Sequence, residues 1–292
     1  MIDELIRLSV ARGQSRRLKA STVSRVKWSI KSAAPVLSLG VRAAGHPAYW
    51  ERHARKLMEE GKAATTIRAE LNELAALFKW ILNTSIAIDS MKPASVKAIE
   101  SAIREVAKNT GRQIKRFKPM QRPSRVSIDE FKEVVNQIES LKSPYKEAAR
   151  LIINFGFRTS EAIKLHQNSI INGRIFVPDR TTKTCADLLL PVPEKHYRMV
   201  SEWLVELGKK EITYAALLMN INRAGFKWRC HDLRKLFRTN GEVRGEDYLA
   251  MELILNHTIK DVPATYIQNA PYKKMKQAIC NAIDEYLSAA AQ

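Results

Sequence analysis

The chain has 292 residues, of which 49 are lysine or arginine and 30 are aspartate or glutamate, so its formal net charge is +19. A charge of this size indicates a polyanionic partner, with nucleic acid as the first candidate and an anionic membrane surface as the rival. Because the sequence contains neither an apolar run long enough for a membrane-spanning helix nor a signal-peptide pattern, we expect a cytoplasmic protein without a membrane partner.

Apolar residues recur at helical spacing through the first part of the chain. The longest stripe includes Ile67, Leu71, Leu74 and Phe78, and we interpret it as a face that packs into a core. Pro35 is expected to end or kink the helix in which it falls. We predict that residues 1–111 form an all-helical domain, with helices over residues 2–10, 22–39, 49–58, 63–82 and 96–107.

A basic linker is predicted over residues 112–126, where Pro119 and Pro123 interrupt the helical pattern shortly after Gly111. This stretch has no acidic residue. It either lies against a phosphate backbone or forms a solvated tether, and its composition leaves both interpretations open. The candidate DNA contacts are Arg112, Lys115, Arg116, Lys118, Arg122 and Arg125.

The second domain is predicted over residues 127–292, and it opens with a capping-box pattern at Ser127 and Glu130 that indicates the start of a helix. Asn172 and Gly173 suit a tight turn between two short strands. We predict a mostly α-helical protein with a small antiparallel β-sheet. The predicted strands are 170–171, 174–177 and 188–192, and the helices run to 138, from 143 to about 156, from 159 or 160, and over 194–207, 213–224, 231–243 and 246–256.

An amphipathic helix is predicted over residues 272–289, with Met275, Ile279, Ile283 and Leu287 on one side. This stripe requires an apolar surface, either in the same domain or on a neighbouring protomer. We predict that it docks on a neighbouring protomer.

The three cysteines, Cys185, Cys230 and Cys280, form neither a disulfide framework nor a Cys-x-x-Cys zinc pattern. Cys230 precedes His231, which suits a metal site or a Cys/His nucleophile. We favour a small buried residue, because no second ligand pair stands at metal spacing, and we expect no bound metal.

Six polar residues suit a single reaction, the attack of a phenolate on a phosphodiester. His231 and Arg234 are three residues apart in a helical pattern, so they can share one anion. Arginines bind two phosphate oxygens at once, a histidine accepts the phenol proton, and a lysine protonates the departing oxygen. The six are Arg158, Lys183, His231, Arg234, His257 and Tyr266.

The motifs GFRTSEAIKL, HDLRKLF and LNHTIKDVPATYI, in this order, resemble the catalytic signature of the tyrosine recombinases, the family of the phage integrases. The resemblance implies an arginine clamp at Arg158 and Arg234, Lys183 as general acid, histidine positions at His231 and His257, and Tyr266 as nucleophile. Glu161 matches an acidic position that supports the first arginine. Departures from the family pattern occur at Phe155, Leu236 and Asn256.

The resemblance also implies a helical DNA-clasping domain, an α+β catalytic domain and a site-specific DNA recombinase that cuts each strand through a 3′-phosphotyrosyl link. Such a link retains the energy of the broken bond, so neither metal nor ATP is needed as a cofactor. The implied partners are double-stranded DNA and further copies of the chain, a tetramer when two sites are paired. A topoisomerase of the same chemistry and a non-catalytic DNA-binding protein on the same fold are the alternatives.

Overall fold

The computed structural model describes residues 1–84, 91–116, 124–178, 187–257 and 270–291, with the backbone alone at residues 112–116, 270 and 271. The chain divides into two compact units, Met1–Arg122 and Pro123–Gln292, and each contains a hydrophobic core of its own. The division falls within the stretch predicted as a linker. Among the helices of the described ranges, none combines the length and the apolar character that crossing a membrane requires.

The first unit is helical, and α6 packs along α7 to form much of its core. Leu74, Leu77 and Phe78 of α6 are fully buried there, together with Ile99 and Ile103 of α7. The helices are α1 (Ile2–Ser15), α2 (Ala20–Ser32), α3 (Ala34–Leu37), α4 (Val41–Ala44), α5 (Pro47–Glu59), α6 (Ala64–Asn83) and α7 (Pro93–Arg116).

Some predicted boundaries in this unit were wrong, and α1 continues to Ser15 where the helix was predicted to end at residue 10. The helix predicted over residues 22–39 is divided, as Pro35 led us to expect, because α2 ends at Ser32 and Pro35 lies in the first turn of α3. The helix predicted to end at residue 107 continues to Arg116, so the first five residues of the predicted linker are helical. Gly111 does not end α7, because a glycine weakens a helix by only about 1 kcal/mol and keeps its backbone N–H.

The second unit combines a three-stranded sheet with eight α-helices and two 3₁₀ helices, Gln167–Ser169 and Glu194–His196, in its described ranges. The hairpin turn has left-handed dihedrals at Asn172 (φ 50°) and Gly173 (φ 72°), and the antiparallel register pairs Ile175 with Leu190. The predicted hairpin is confirmed. The elements are α8 (Phe131–Ser140), α9 (Tyr145–Phe155), α10 (Thr159–Ala162), β1 (Ile170–Ile171), β2 (Arg174–Val177), β3 (Leu188–Pro191), α11 (Tyr197–Gly208), α12 (Tyr214–Arg223), α13 (Cys230–Val243), α14 (Tyr248–Ile254) and α15 (Ala270–Ala290).

The capping-box residues do not start α8 where the sequence predicted. The Ser127 amide donates to Glu130 Oε2 over 2.7 Å, which closes a turn ahead of the helix, and α8 begins at Phe131. Similarly, α14 begins at Tyr248, because the Asp247 side chain accepts from the Ala250 amide and caps the helix there.

In the single chain the last helix, α15, packs on its own domain, and its docking on a neighbouring protomer stays a prediction. Ion pairs fasten it at both ends, Lys274 with Asp247 and Arg244 with Glu285. Its Tyr286 hydroxyl also donates to Glu139. The helix contributes six buried side chains to the core of the second unit: Met275, Ala278, Ile279, Ala282, Ile283 and Tyr286.

We predict that Ile283→Ala lowers the free energy of unfolding by about 2–5 kcal/mol, because it leaves a cavity at a fully buried position. The matched control is Leu287→Ala one turn later, where the side chain is 37% exposed and the expected decrease is below about 1 kcal/mol. Urea unfolding of the full chain measures both. Equal decreases would contradict the packing of α15 on its own domain.

Candidate active site

Arg234 is the most buried positively charged group among the described residues of the site, with 6% of the residue exposed. Its Nη1 group donates to the carbonyl of Gly156, and its Nη2 group donates to the carbonyl of Leu255. The Nη2 atom also lies 3.2 Å from His257 Nε2. The guanidinium of α13 is therefore held by residues that follow α9 and α14.

Both carbonyls are available because the two helices end in the left-handed region. Gly156 has φ 65° after α9, and Asn256 has φ 49° after α14. The last carbonyls of a helix have no partner within the helix and lie at its negative end, so they suit a cation. Asn256 stands where the family often has glycine, and asparagine is one of the few other residues that tolerate this conformation.

Arg158 lies next to these caps, at the residue before α10. Its Nη2 group donates to the Asn256 carbonyl over 3.3 Å, so consecutive carbonyls of one loop hold the two arginines. Glu161 accepts from Arg158 Nη1 over 2.9 Å and from the Arg158 amide over 2.8 Å. Glu161 is fully buried, and this double contact fixes both the backbone and the side chain of Arg158.

His257 contacts a residue that the sequence analysis did not identify. Its Nδ1 atom lies 2.7 Å from Glu252 Oε2, and Glu252 Oε1 accepts from Arg238 Nη2 over 2.9 Å. Glu252 is 9% exposed. The one signal in the sequence is an acid set among apolar residues in LAMELIL, five residues before the histidine.

His231 lies in the first turn of α13, three residues before Arg234, and is exposed. Partial burial of the imidazole and the nearby cations Lys235 and Arg234 lower its pKa. Near neutral pH the neutral imidazole is favoured, which is the form that accepts a proton.

The two guanidiniums repel each other. Burial, and then the charge of Arg158, lower the pKa of Arg234 to about 10, so it stays protonated at neutral pH in an unfavourable field. An anion bound to both groups relieves that repulsion. The arrangement suits a phosphate, whose oxygens match the planar donors of arginine.

Four of the six predicted residues thus have described positions, and contacts through the loop after α14 join Arg158, Arg234 and His257. The positive charges of both arginines contribute to the lowered pKa of His231. Lys183 and Tyr266 lie outside the described residues. Of the family departures, Phe155 stacks on Phe157 at 5.7 Å and Leu236 is 2% exposed, so both are core residues.

Among the predicted linker contacts, Arg125 has a described side chain, and it is paired within its own unit. Its Nη1 group donates to Asp232 Oδ2 over 3.0 Å, so α13 provides an acid that the linker sequence lacks. The side chains of Arg112, Lys115, Arg116, Lys118 and Arg122 lie outside the described residues.

Cys230 is a small buried residue, as predicted, with 3% exposed. Burial raises the pKa of its thiol, which disfavours the thiolate that a nucleophile or a metal ligand needs. In the described ranges, His196, Cys280 and Asp284 have potential metal-ligand atoms within 4.8 Å of one another. Lys195 and His196 already pair with Asp284 over 2.7 and 3.0 Å, so this group fastens α15 by ion pairing.

Comparison with solved structures gives the same fold. A lambda integrase dimer bound to a COC' core site matches with a TM-score of 0.62 and 17% identity, covering 91% of this chain and 76% of that one. Lambda integrase residues 75–356 bound to DNA match with a TM-score of 0.58 and 18% identity, covering 86% and 90%. A lambda integrase tetramer bound to a Holliday junction matches with a TM-score of 0.62 and 17% identity, covering 89% and 77%.

At these identities the likeness concerns the fold, and it confirms the predicted fold class, a mostly α-helical chain with a small antiparallel sheet. No protein-family model and no curated protein matches the sequence.

We predict that Gly156→Ala destabilises the protein more than Gly245→Ala. Both glycines have positive φ, and adopting that conformation costs a residue with a Cβ about 1 kcal/mol. At Gly156 a Cβ would also lie 2.7 Å from Phe237 and 2.8 Å from Leu255, whereas nothing lies within 4 Å at Gly245. The additional cost is about 1–3 kcal/mol. Urea unfolding compares the two, and equal costs would contradict the close approach of α9, α13 and the loop after α14.

Proposed function

We propose that this protein is a site-specific DNA recombinase that cleaves and rejoins DNA strands through a 3′-phosphotyrosyl intermediate. The observation that supports this best is the placement of Arg158 and Arg234 on consecutive carbonyls, with His257 in contact with Arg234. A protein that only occupies DNA needs positive charge but no such buried, geometrically fixed pair.

In the proposed reaction the two guanidiniums bind the non-bridging oxygens of the scissile phosphate. Their charges reduce the repulsion that the phosphate presents to a nucleophile, and they stabilise the charge that develops in the transition state. Because backbone carbonyls and Glu161 hold the arginines before DNA binds, little reorganisation is needed.

Tyr266 is the proposed nucleophile. A phenol has an unperturbed pKa of about 10, so attack near neutral pH requires a base, and neutral His231 can accept the proton. The phenolic oxygen forms a bond to phosphorus as the bond to the 5′ oxygen breaks, and Lys183 gives that oxygen a proton. Attack by a 5′ hydroxyl on the phosphotyrosine reverses the step and rejoins the strand.

The proposed partners are double-stranded DNA and further copies of the chain on paired sites. The net charge of +19 supports a polyanionic partner. The lambda integrase structures, a dimer on a core site and a tetramer on a Holliday junction, support assembly on DNA. The proposed location is the cytoplasm, in association with the nucleoid or in an equivalent compartment that contains DNA.

We predict that Tyr266→Phe abolishes the covalent protein–DNA adduct while changing DNA affinity less than about 2-fold, because it removes a single hydroxyl group from the chain. The probe is a set of duplexes selected for binding from a random-sequence library and then nicked near the bound site, which traps the adduct. Denaturing electrophoresis detects the adduct.

The matched control is Tyr272→Phe, six residues later, whose ring lies 4.5 Å from the Arg174 guanidinium and keeps that contact as phenylalanine. It should form the adduct normally. An adduct that survives Tyr266→Phe and disappears with Tyr272→Phe would overturn the assignment of the nucleophile. A recombinase gives recombinant products only when two sites are present, whereas a topoisomerase relaxes a plasmid that carries one site. This difference separates the two functions.

We also predict that replacing Lys115, Arg116 and Lys118 by alanine weakens binding to all DNA sequences alike. Each phosphate that the variant no longer neutralises should flatten the slope of log K against log salt by about 0.9. A control of equal charge replaces Arg198, Lys209 and Lys210 of the second unit, and it should leave the slope nearer to that of the unchanged protein. Weaker binding confined to one sequence would indicate base reading by the linker.

A further inference from the structure

We propose that Glu252 is a positioning residue that keeps a proton of His257 on Nδ1, so that Nε2 accepts from Arg234 and the guanidinium stays aligned for the phosphate. The consequence for cleavage depends on the proposed function, whereas the position of the proton does not. Glu252 lies in α14 and His257 in the loop that follows it, and the two arginines that contact them lie in α13.

The tautomer follows from the two contacts of the imidazole. An arginine has hydrogen-bond donors and no acceptor, so Arg234 Nη2, 3.2 Å from His257 Nε2, requires a lone pair on Nε2. The proton of the neutral ring is then on Nδ1. Glu252 Oε2, 2.7 Å from Nδ1, is the acceptor for that proton. The other tautomer would direct an N–H group at the arginine and leave the carboxylate without a donor.

Glu252 is itself fixed from the opposite side. Arg238 donates to its Oε1 from Nε over 3.2 Å and from Nη2 over 2.9 Å. Arg238 follows Arg234 by one turn of α13, so two arginines of one helix bracket the pair formed by Glu252 and His257. The four side chains form one chain of contacts from Arg238 through Glu252 and His257 to Arg234.

This chain gives Glu252 a role in the geometry of Arg234 as well. With the imidazole in the other tautomer, donor would face donor, and the guanidinium and the ring would separate. The phosphate would then lose the alignment of Arg234, one of its two proposed arginine partners, while the fold and the net charge remain. A carboxylate that bonds a histidine in this way controls both its tautomer and its orientation.

The competing explanation is that Glu252 and Arg238 merely join α13 to α14 through an ion pair. The two explanations differ in which substitution changes His257. Arg238→Met removes the ion pair and leaves the Glu252–His257 contact. Glu252→Met removes both. Glu252→Gln keeps an oxygen that accepts from Nδ1 and removes the charge.

The test is ¹⁵N NMR of the intact chain labelled at histidine, without DNA, with the His257 signals assigned by their disappearance in His257→Gln. In the unchanged protein, Nδ1 should show the shift of a protonated ring nitrogen and Nε2 that of an unprotonated one. Glu252→Gln and Arg238→Met should keep this pattern. Glu252→Met should abolish it, with the two tautomers mixed.

Adduct formation on nicked duplexes is then measured for the same variants. Glu252→Met should slow cleavage by about 10-fold or more, with DNA affinity within about 2-fold of the unchanged protein. Glu252→Gln should restore at least part of the rate. The control is Glu139→Gln, which removes a partly buried carboxylate paired with Arg150 and should leave the tautomer of His257 unchanged.

A proton on Nε2 in the unchanged protein overturns the proposal, and this result does not require any variant to fold. A mixed tautomer in Arg238→Met equal to that in Glu252→Met overturns it in favour of the ion pair. Normal cleavage by Glu252→Met overturns the positioning role. If the unchanged chain forms no adduct, the proposed function fails, and the NMR result still decides where the proton lies.

Discussion

The N–H donors of a buried guanidinium must have hydrogen-bond acceptors. The acceptors of Arg234 determine how the elements around it in the second unit are arranged. Gly156 and Leu255 provide carbonyls from loops that follow α9 and α14, and the contact is possible because both loops turn through the left-handed region. The arginine therefore ties three helices together at one point. A change in the cap of α9 or α14 changes the position of the charge.

The choice of carbonyls as partners also preserves the charge of the site. A carboxylate would satisfy the same donors but would cancel the positive charge, whereas a carbonyl contributes only a dipole. Arg158 is paired with buried Glu161, and Arg234 has carbonyls and an imidazole. Of these two arginines, Arg234 is the one that keeps more of its charge for an anion. Keeping that charge buried and close to Arg158 is unfavourable, and the pKa of Arg234 is lowered for this reason.

The sequence predicts those parts of the structure that depend on neighbouring residues. The Asn172–Gly173 turn and the apolar stripe of α6 are local patterns, and both are found. Contacts that depend on how the folded chain brings side chains together were not predicted. Arg125 meets Asp232 across 107 positions, and His257 meets Glu252 because of the way the chain leaves α14. The arginines and histidines were identified by motif, and the residues that hold them were found in the folded chain, apart from Glu161.

The amphipathic stripe of α15 shows why one apolar pattern is compatible with two docking surfaces. Its spacing requires an apolar surface but does not identify which surface, and here the core of its own unit provides it. The proposed nucleophile Tyr266 stands in the sequence between His257 and α15. At one end Glu252 and Arg234 hold His257, and at the other Ile279 and Ile283 anchor α15. Both of these anchored parts belong to one compact unit, so the contacts of His257 and the packing of α15 depend on the same core.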